Sequence, residues 1–164
     1  MPLELSDQQY LRAAHGYVEL GMHSEAAAEL GKIDPFCLLL PEVLSVRLEV
    51  YAGLQEWEMM QMAAKRLRNH DPTNVQWVIA LGYATRRAES IKAAKSILME
   101  ALKRHPEEPT IRYNLACYEC QLGDLAVAKQ HLKAATKADT KFREMALDDP
   151  DLEPLWAEIA RLES

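Results

Sequence analysis

Residues 113–135 read YNLACYECQLGDLAVAKQHLKAA. In the second half, Leu125, Ala128, Leu132 and Ala135 recur at steps of three and four, which puts them on one face of a helix. LGD at 122–124 places a glycine where a helix must end in a left-handed residue, so the stretch is two helices and a turn. Stepping back from it by roughly 34 residues finds three further copies. Ala116 falls on Gly82, Leu48 and Ala14; Ala128 on Ala94, Met60 and Ala26; Leu132 on Leu98, Ala64 and Leu30; Ala135 on Ala101, Leu67 and Ile33. A further column reads Tyr17, Tyr51, Thr85 and Glu119, aromatic in the first two units only.

Turn signals fit this phase. LGM at 20–22 repeats the glycine, and IDP at 33–35, HDP at 70–72 and RHPEEP at 104–109 supply prolines that stop one helix and start the next. Small residues at Gly82, Ala94, Ala116 and Ala128 mark close approaches between helices, because backbones draw near only where a side chain is almost absent.

The pattern resembles the tetratricopeptide repeat family. Leu115, Ala116, Gly123, Ala128, Leu132 and Ala135 stand in its characteristic positions, as do Leu81, Gly82, Ala94, Leu98, Ala101 and Pro106. The first unit matches through Tyr10, Ala14, Tyr17, Gly21, Ala26, Leu30 and Ile33. The second departs, with Arg47 where leucine is expected and Met60 where alanine is. The resemblance implies an all-α, right-handed solenoid of helix-turn-helix units over about 7–36, 41–72, 75–106 and 109–139, forming one domain over 1–164. Residues 140–164 then read as a short helical turn, a DDPD stop and a last helix starting near Pro154. Leu155, Trp156, Ile159 and Leu162 are at helical spacing, the signature of a capping helix over the last unit.

Cys117 and Cys120 have the spacing of a redox dithiol or of half a zinc site. Both fall in the middle of a helix, away from the positive N-terminal end that stabilises a thiolate. A structural zinc needs four ligands, and the remaining Cys37 and His131 belong to other elements. The expectation is structural thiols, with no metal, cofactor or catalytic group.

By resemblance, the first helix of each unit lines a concave face. The facing rows are His15, Glu49, Tyr83 and Cys117; Val18, Ala52, Arg86 and Cys120; Glu19, Gly53, Arg87 and Gln121; Leu11, Ser45, Ile79 and Tyr113; and Gln8, Glu42, Gln76 and Thr110. The last two units would present a peptide-binding set of Gln76, Ile79, Tyr83, Arg86, Arg87, Tyr113, Asn114, Cys117, Cys120 and Gln121. Arginine forks bind carboxylates and aromatic faces cover side chains at low entropy cost, so these residues suit an extended peptide with an acidic part. The alternative is that Arg86 and Arg87 solvate a helix end and Tyr83 packs in the stack. The carboxylate clamp of co-chaperones in this family is missing: its places hold Leu11, His15, Val46, Gln76 and Ala80, or, one unit on, Ser45, Glu49, Ala80, Thr110 and Asn114.

Charge is segregated along the chain. Residues 1–61 carry a net −7, residues 62–143 a net +7 and residues 144–164 a net −6. With a pI of about 5.4, nucleic acid is not the expected partner. Apolar runs such as FCLLL at 36–40 are too short to cross a bilayer, and the N-terminus has no basic-then-apolar leader, so the expected setting is cytoplasmic and away from membranes. There is no phosphate loop, HExxH or nucleophile elbow. The function read from the sequence is a non-catalytic protein-interaction module. The alternatives are a scaffold unit that assembles into a homo-oligomer, acidic ends on basic middles, or a small secretion-type chaperone.

Overall fold

A computed structural model of the protein describes residues 2–161, and the chain divides into two compact units after Ala88. Helices are the only extended regular elements among the described residues. The first unit holds α1 (Leu5–Glu19), α2 (His23–Leu30), α3 (Pro41–Gly53), α4 (Trp57–His70) and α5 (Val75–Ala88). In it α1 packs on α2, α3 on α4 and α4 on α5, while α3 also meets α1 and α2. The second unit holds α6 (Ile91–Arg104), α7 (Pro109–Leu122), α8 (Leu125–Ala138), α9 (Lys141–Asp148) and α10 (Trp156–Arg161). There α7 packs on α6 and α8, and α9 lies against α8 and α10. The expected third repeat gives its first helix to one unit and its second to the other.

Side-chain acceptors in the preceding loops start α6, α7 and α8. Ser90 caps α6 by accepting from the Ala93 N–H at 3.1 Å, and Asp124 caps α8 by accepting from Val127 at 3.1 Å. Glu108 accepts from the Thr110 N–H at 3.1 Å, so this acidic residue serves the start of α7. Gly123 ends α7 at φ 89° and Gly21 follows α1 at φ 71°, the left-handed values read from the sequence. The second repeat's equivalent place holds Gln55, which takes φ 60° without glycine's freedom.

The sixteen residues of the four repeat columns are all buried, including Gly82. Leu67, Leu81, Leu98, Ile111 and Leu115 are among the largest side chains wholly removed from water. Each contributes about 1.5–3 kcal/mol through burial alone. The aromatic column changes chemistry where tyrosine is lost. Tyr17 and Tyr51 are half-buried, whereas Thr85 accepts a buried hydrogen bond from Gln61 Nε2 at 3.0 Å. Glu119, 3 % exposed, pairs with Lys95 Nζ at 2.7 Å. Arg47, in a leucine position, donates to the Leu38 carbonyl at 3.2 Å and to the Tyr51 hydroxyl, and so satisfies its charge with nearby acceptors.

The C-terminal cap is built from three pieces. Between α9 and α10, residues Pro150–Leu155 form a 3-10 segment that lies on α7 and α8. Leu152, Leu155 and Ile159 are buried at 0, 1 and 6 % exposure, and Trp156 donates its indole N–H to the Ala146 carbonyl at 2.8 Å. Leu162, expected in the same stripe, is outside the described residues.

Candidate functional site

The face of α5 is the first place where exposed binding chemistry gathers. Asn74 Oδ1 accepts from the Gln76 N–H at 3.0 Å and sets the start of the helix. From there Gln76, Ile79, Tyr83, Arg86 and Arg87 follow at helical spacing. Gln76 and Arg87 are exposed, Ile79 and Arg86 half-buried, and the Tyr83 ring is 40 % exposed. Trp57, at the start of α4, meets Tyr83 edge-on at 5.7 Å between centroids and 76° between planes. The Arg87 guanidinium lies over both rings, 5.3 Å from Trp57 and 5.7 Å from Tyr83. A cation–π contact of this kind is worth about 0.5–1 kcal/mol at an exposed site, and it restrains the guanidinium before any ligand arrives. Trp57 was not among the sequence-predicted residues because it lies on a second helix, outside every facing row.

The equivalent face of α7 is covered by the chain itself. Tyr113, Cys117 and Cys120 are buried at 4, 4 and 5 % exposure, Asn114 is half-buried and Gln121 exposed. The Tyr113 hydroxyl donates to Asp149 Oδ2 at 2.9 Å, and the Cys117 thiol donates to the same oxygen at 3.5 Å. Gln121 Nε2 donates to the Asp151 carbonyl at 2.9 Å. The Tyr113 ring rests against Phe142 of α9 at 5.1 Å, tilted by 31°. Asp149 Oδ1 meanwhile accepts from the Asp151 N–H at 3.0 Å, so one carboxylate starts the 3-10 segment and pins it to α7.

Burial opposes ionisation of Tyr113 and Cys120 on the α7 side. Burial, then the hydrogen bond to Asp149, drives the Tyr113 hydroxyl far above the ordinary tyrosine range. Burial, with Asp151 and Asp149 nearby, also raises Cys120, which opposes thiolate formation. Both cysteines lie within α7 rather than at its N-terminus, where the helix dipole would favour a thiolate. Cys37 is buried and raised too, chiefly by desolvation.

No family model and no curated protein matches this chain. Solved structures do. A thermophilic TPR protein of Thermus thermophilus superposes with a TM-score of 0.71 at 19 % identity, over 96 % of this chain and 84 % of that one. The fold is the tetratricopeptide fold. A MamA structure from Desulfovibrio magneticus RS-1 superposes with a TM-score of 0.74 at 15 % identity, over 99 % of this chain and 97 % of the other. A further MamA structure, from MSR-1, gives 0.69 at 16 % identity over 98 % of both chains.

Within the tetratricopeptide fold, positions 34 residues apart are equivalent, so Tyr83 and Cys117 are the same place in successive units, as are Arg87 and Gln121. The structure brings Gln76, Ile79, Tyr83, Arg86 and Arg87 together on α5, and gathers Tyr113, Cys117 and Gln121 around residues 149–151. Among the described residues, Cys117, Asp149 and Asp151 bring three donor atoms within 4.8 Å of one another. The thiol proton of Cys117 is aimed at Asp149, and the group uses one cysteine of the CxxC pair. No described helix is long and apolar enough to cross a membrane.

Proposed function

We propose that this chain is a non-catalytic protein-interaction module whose α5 face receives an acidic peptide segment. The observation that carries the reading is Arg87, exposed, with its guanidinium 5.3 and 5.7 Å from the Trp57 and Tyr83 ring centres. A pre-oriented guanidinium gives two parallel hydrogen bonds to a carboxylate at reduced entropic cost, while the aromatic rings cover an adjoining apolar side chain. Arg86 adds charge and Gln76 adds an amide for the peptide backbone. In the α7 half of the predicted set, Tyr113, Asn114, Cys117, Cys120 and Gln121, the Tyr113 phenol and Cys117 thiol meet the Asp149 carboxylate and the Gln121 amide meets the Asp151 carbonyl, so there the chain's own acidic segment is the occupant.

A test is an array of acidic peptides, followed by anisotropy titration of the strongest binder. Arg86→Glu with Arg87→Glu should weaken binding by about 2–5 kcal/mol, since charge-assisted contacts are replaced by repulsion. Affinity should fall with salt. Equal affinity of the reversed variant at low salt refutes the α5 site.

A second reading follows from the charge segregation, −7, +7 and −6 along the chain. In a scaffold, the acidic ends of one copy would dock on the basic middle of another. Sedimentation separates the two, because such an assembly comes apart as salt rises and a monomer does not change.

A further inference from the structure

In the second unit, α8 carries Lys129, Lys133 and Lys137 at four-residue steps. That spacing sets them in one line, about 6 Å apart along the helix axis. Beside them opens a cavity of about 430 Å³, lined by these lysines, by Arg143 of α9 and by the apolar Leu132, Leu155 and Ile159. Its size is in the range of about 300–1,000 Å³ found for binding clefts. The cleft already holds one carboxylate: Lys129 Nζ pairs with Glu158 Oε1 of α10 at 2.7 Å. Lys133 and Lys137 line the same cleft with no acidic partner among the described residues. A local excess of cations has formed on a protein whose net charge is −6.

From this geometry we infer that the α8–α10 cleft is a second docking surface, and that its occupant is an acidic amphipathic helix of a partner protein. Leu132, Leu155 and Ile159 are themselves buried to 7 % exposure or less, so the cleft meets an aliphatic anchor with their edges and the lysine stems, and carboxylates at every fourth residue of a helix lying along α8 match the spacing of the lysines. Charge complementarity selects the sign of the partner, and the apolar floor selects against nucleic acid, whose backbone offers no aliphatic anchor. The site uses none of the α5 residues, so it stands apart from the function proposed above.

The experiment titrates a labelled helical peptide, with glutamate at every fourth position and leucine on the intervening face, against the full chain at low salt. Saturable binding is expected, weakened by salt and weakened by about tenfold or more in Lys133→Glu with Lys137→Glu. Replacing the peptide leucines with serine should cost a similar factor. Arg86→Glu with Arg87→Glu should change nothing, which keeps this result separate from the α5 reading. Circular dichroism checks the fold, and Lys133→Gln with Lys137→Gln gives a milder variant that should weaken binding less. The inference is overturned by absence of saturation, by binding that survives the lysine reversal, or by equal affinity for a scrambled peptide of the same charge. Capture of decanoate in preference to the peptide also overturns it, because the cleft is then a site for amphiphiles.

Discussion

The α5 and α7 faces have the same place in successive repeats and opposite fates. On α5, Tyr83 and Arg87 are exposed and in contact with Trp57; on α7, the equivalent Cys117 is buried, and Gln121 is tied to the backbone of the chain's own C-terminal segment. Repeat position therefore does not decide which surface is open. The fourth repeat is covered by α9 and the 150–155 segment, and that segment reaches onto the recognition face of α7 as well. Covering the end and filling the face are one event, anchored by Asp149.

Removing the cover breaks this contrast most severely. Truncation after Asp149 strips Leu152, Leu155 and Ile159 from the second unit and exposes the surfaces of α7 and α8 beneath. At about 1.5–3 kcal/mol for each large side chain, the loss approaches the whole stability of a small domain. Aggregation or a sharply lower melting temperature should follow. A soluble truncated monomer of unchanged stability would mean that the segment is a free element and α7 is open.

A smaller change tests the anchor alone. Asp149→Ala leaves the Tyr113 hydroxyl and Cys117 thiol without their acceptor and removes a cap, for an expected loss of about 1–3 kcal/mol in a denaturant titration. Tyr83→Phe on the open face should stay within about 0.5 kcal/mol. Equal losses would erase the distinction between the faces.

The comparison also predicts an uneven response to pH. Burial, with Arg112 and Lys95 nearby, lowers the His131 pKa against the opposing pull of Glu119. A histidine held neutral in the fold binds fewer protons than its unfolded counterpart. Its contribution is thus complete above the unfolded value of about 6.5 and is lost as pH falls below it. Hydrogen exchange between about pH 7 and 5.5 should loosen the second unit first, and His131→Gln should flatten that dependence. The carboxylates Asp139 and Glu100, lowered by their lysine neighbours, act only at more acidic pH.

A small gain is expected at Gln55, whose φ of 60° is a place glycine fills in the first and fourth repeats. Gln55→Gly should stabilise the first unit by about 0.4–1 kcal/mol, read as a shift of the denaturant midpoint, and leave the state of both faces unchanged. A destabilised variant would show that glutamine carries the turn without strain.

The repeat columns were legible because a fixed step of 34 residues carries its own check: Leu30, Ala64, Leu98 and Leu132 had to be buried together, and they are. Proline and glycine turns were legible for the same local reason. The left-handed Gln55 was not, since nothing in a single glutamine announces its backbone angle. Trp57 escaped because facing rows follow first helices only. The closure of Tyr113 and Cys117 by Asp149 joins residues 36 and 32 apart, and no periodicity connects them. The apolar stripe of the tail revealed that it would cap the array, while its path across α7 depended on side-chain hydrogen bonds that spacing cannot encode. The division after Ala88 also falls where no proline or glycine marks a boundary.

The most direct measurement is thiol labelling of the native chain at neutral pH. Cys37, Cys117 and Cys120 are buried thiols outside any disulfide, so a maleimide should react with them only as fast as the fold opens. Tyr83→Cys puts a thiol at the repeat position of Cys117 on the open face, and it should be labelled far faster than the three native cysteines, as mass spectrometry of the peptides would show. Asp149→Ala should then speed Cys117 selectively. Labelling of Cys117 in the unaltered chain at the rate of the Tyr83→Cys thiol would contradict the occupied α7 face.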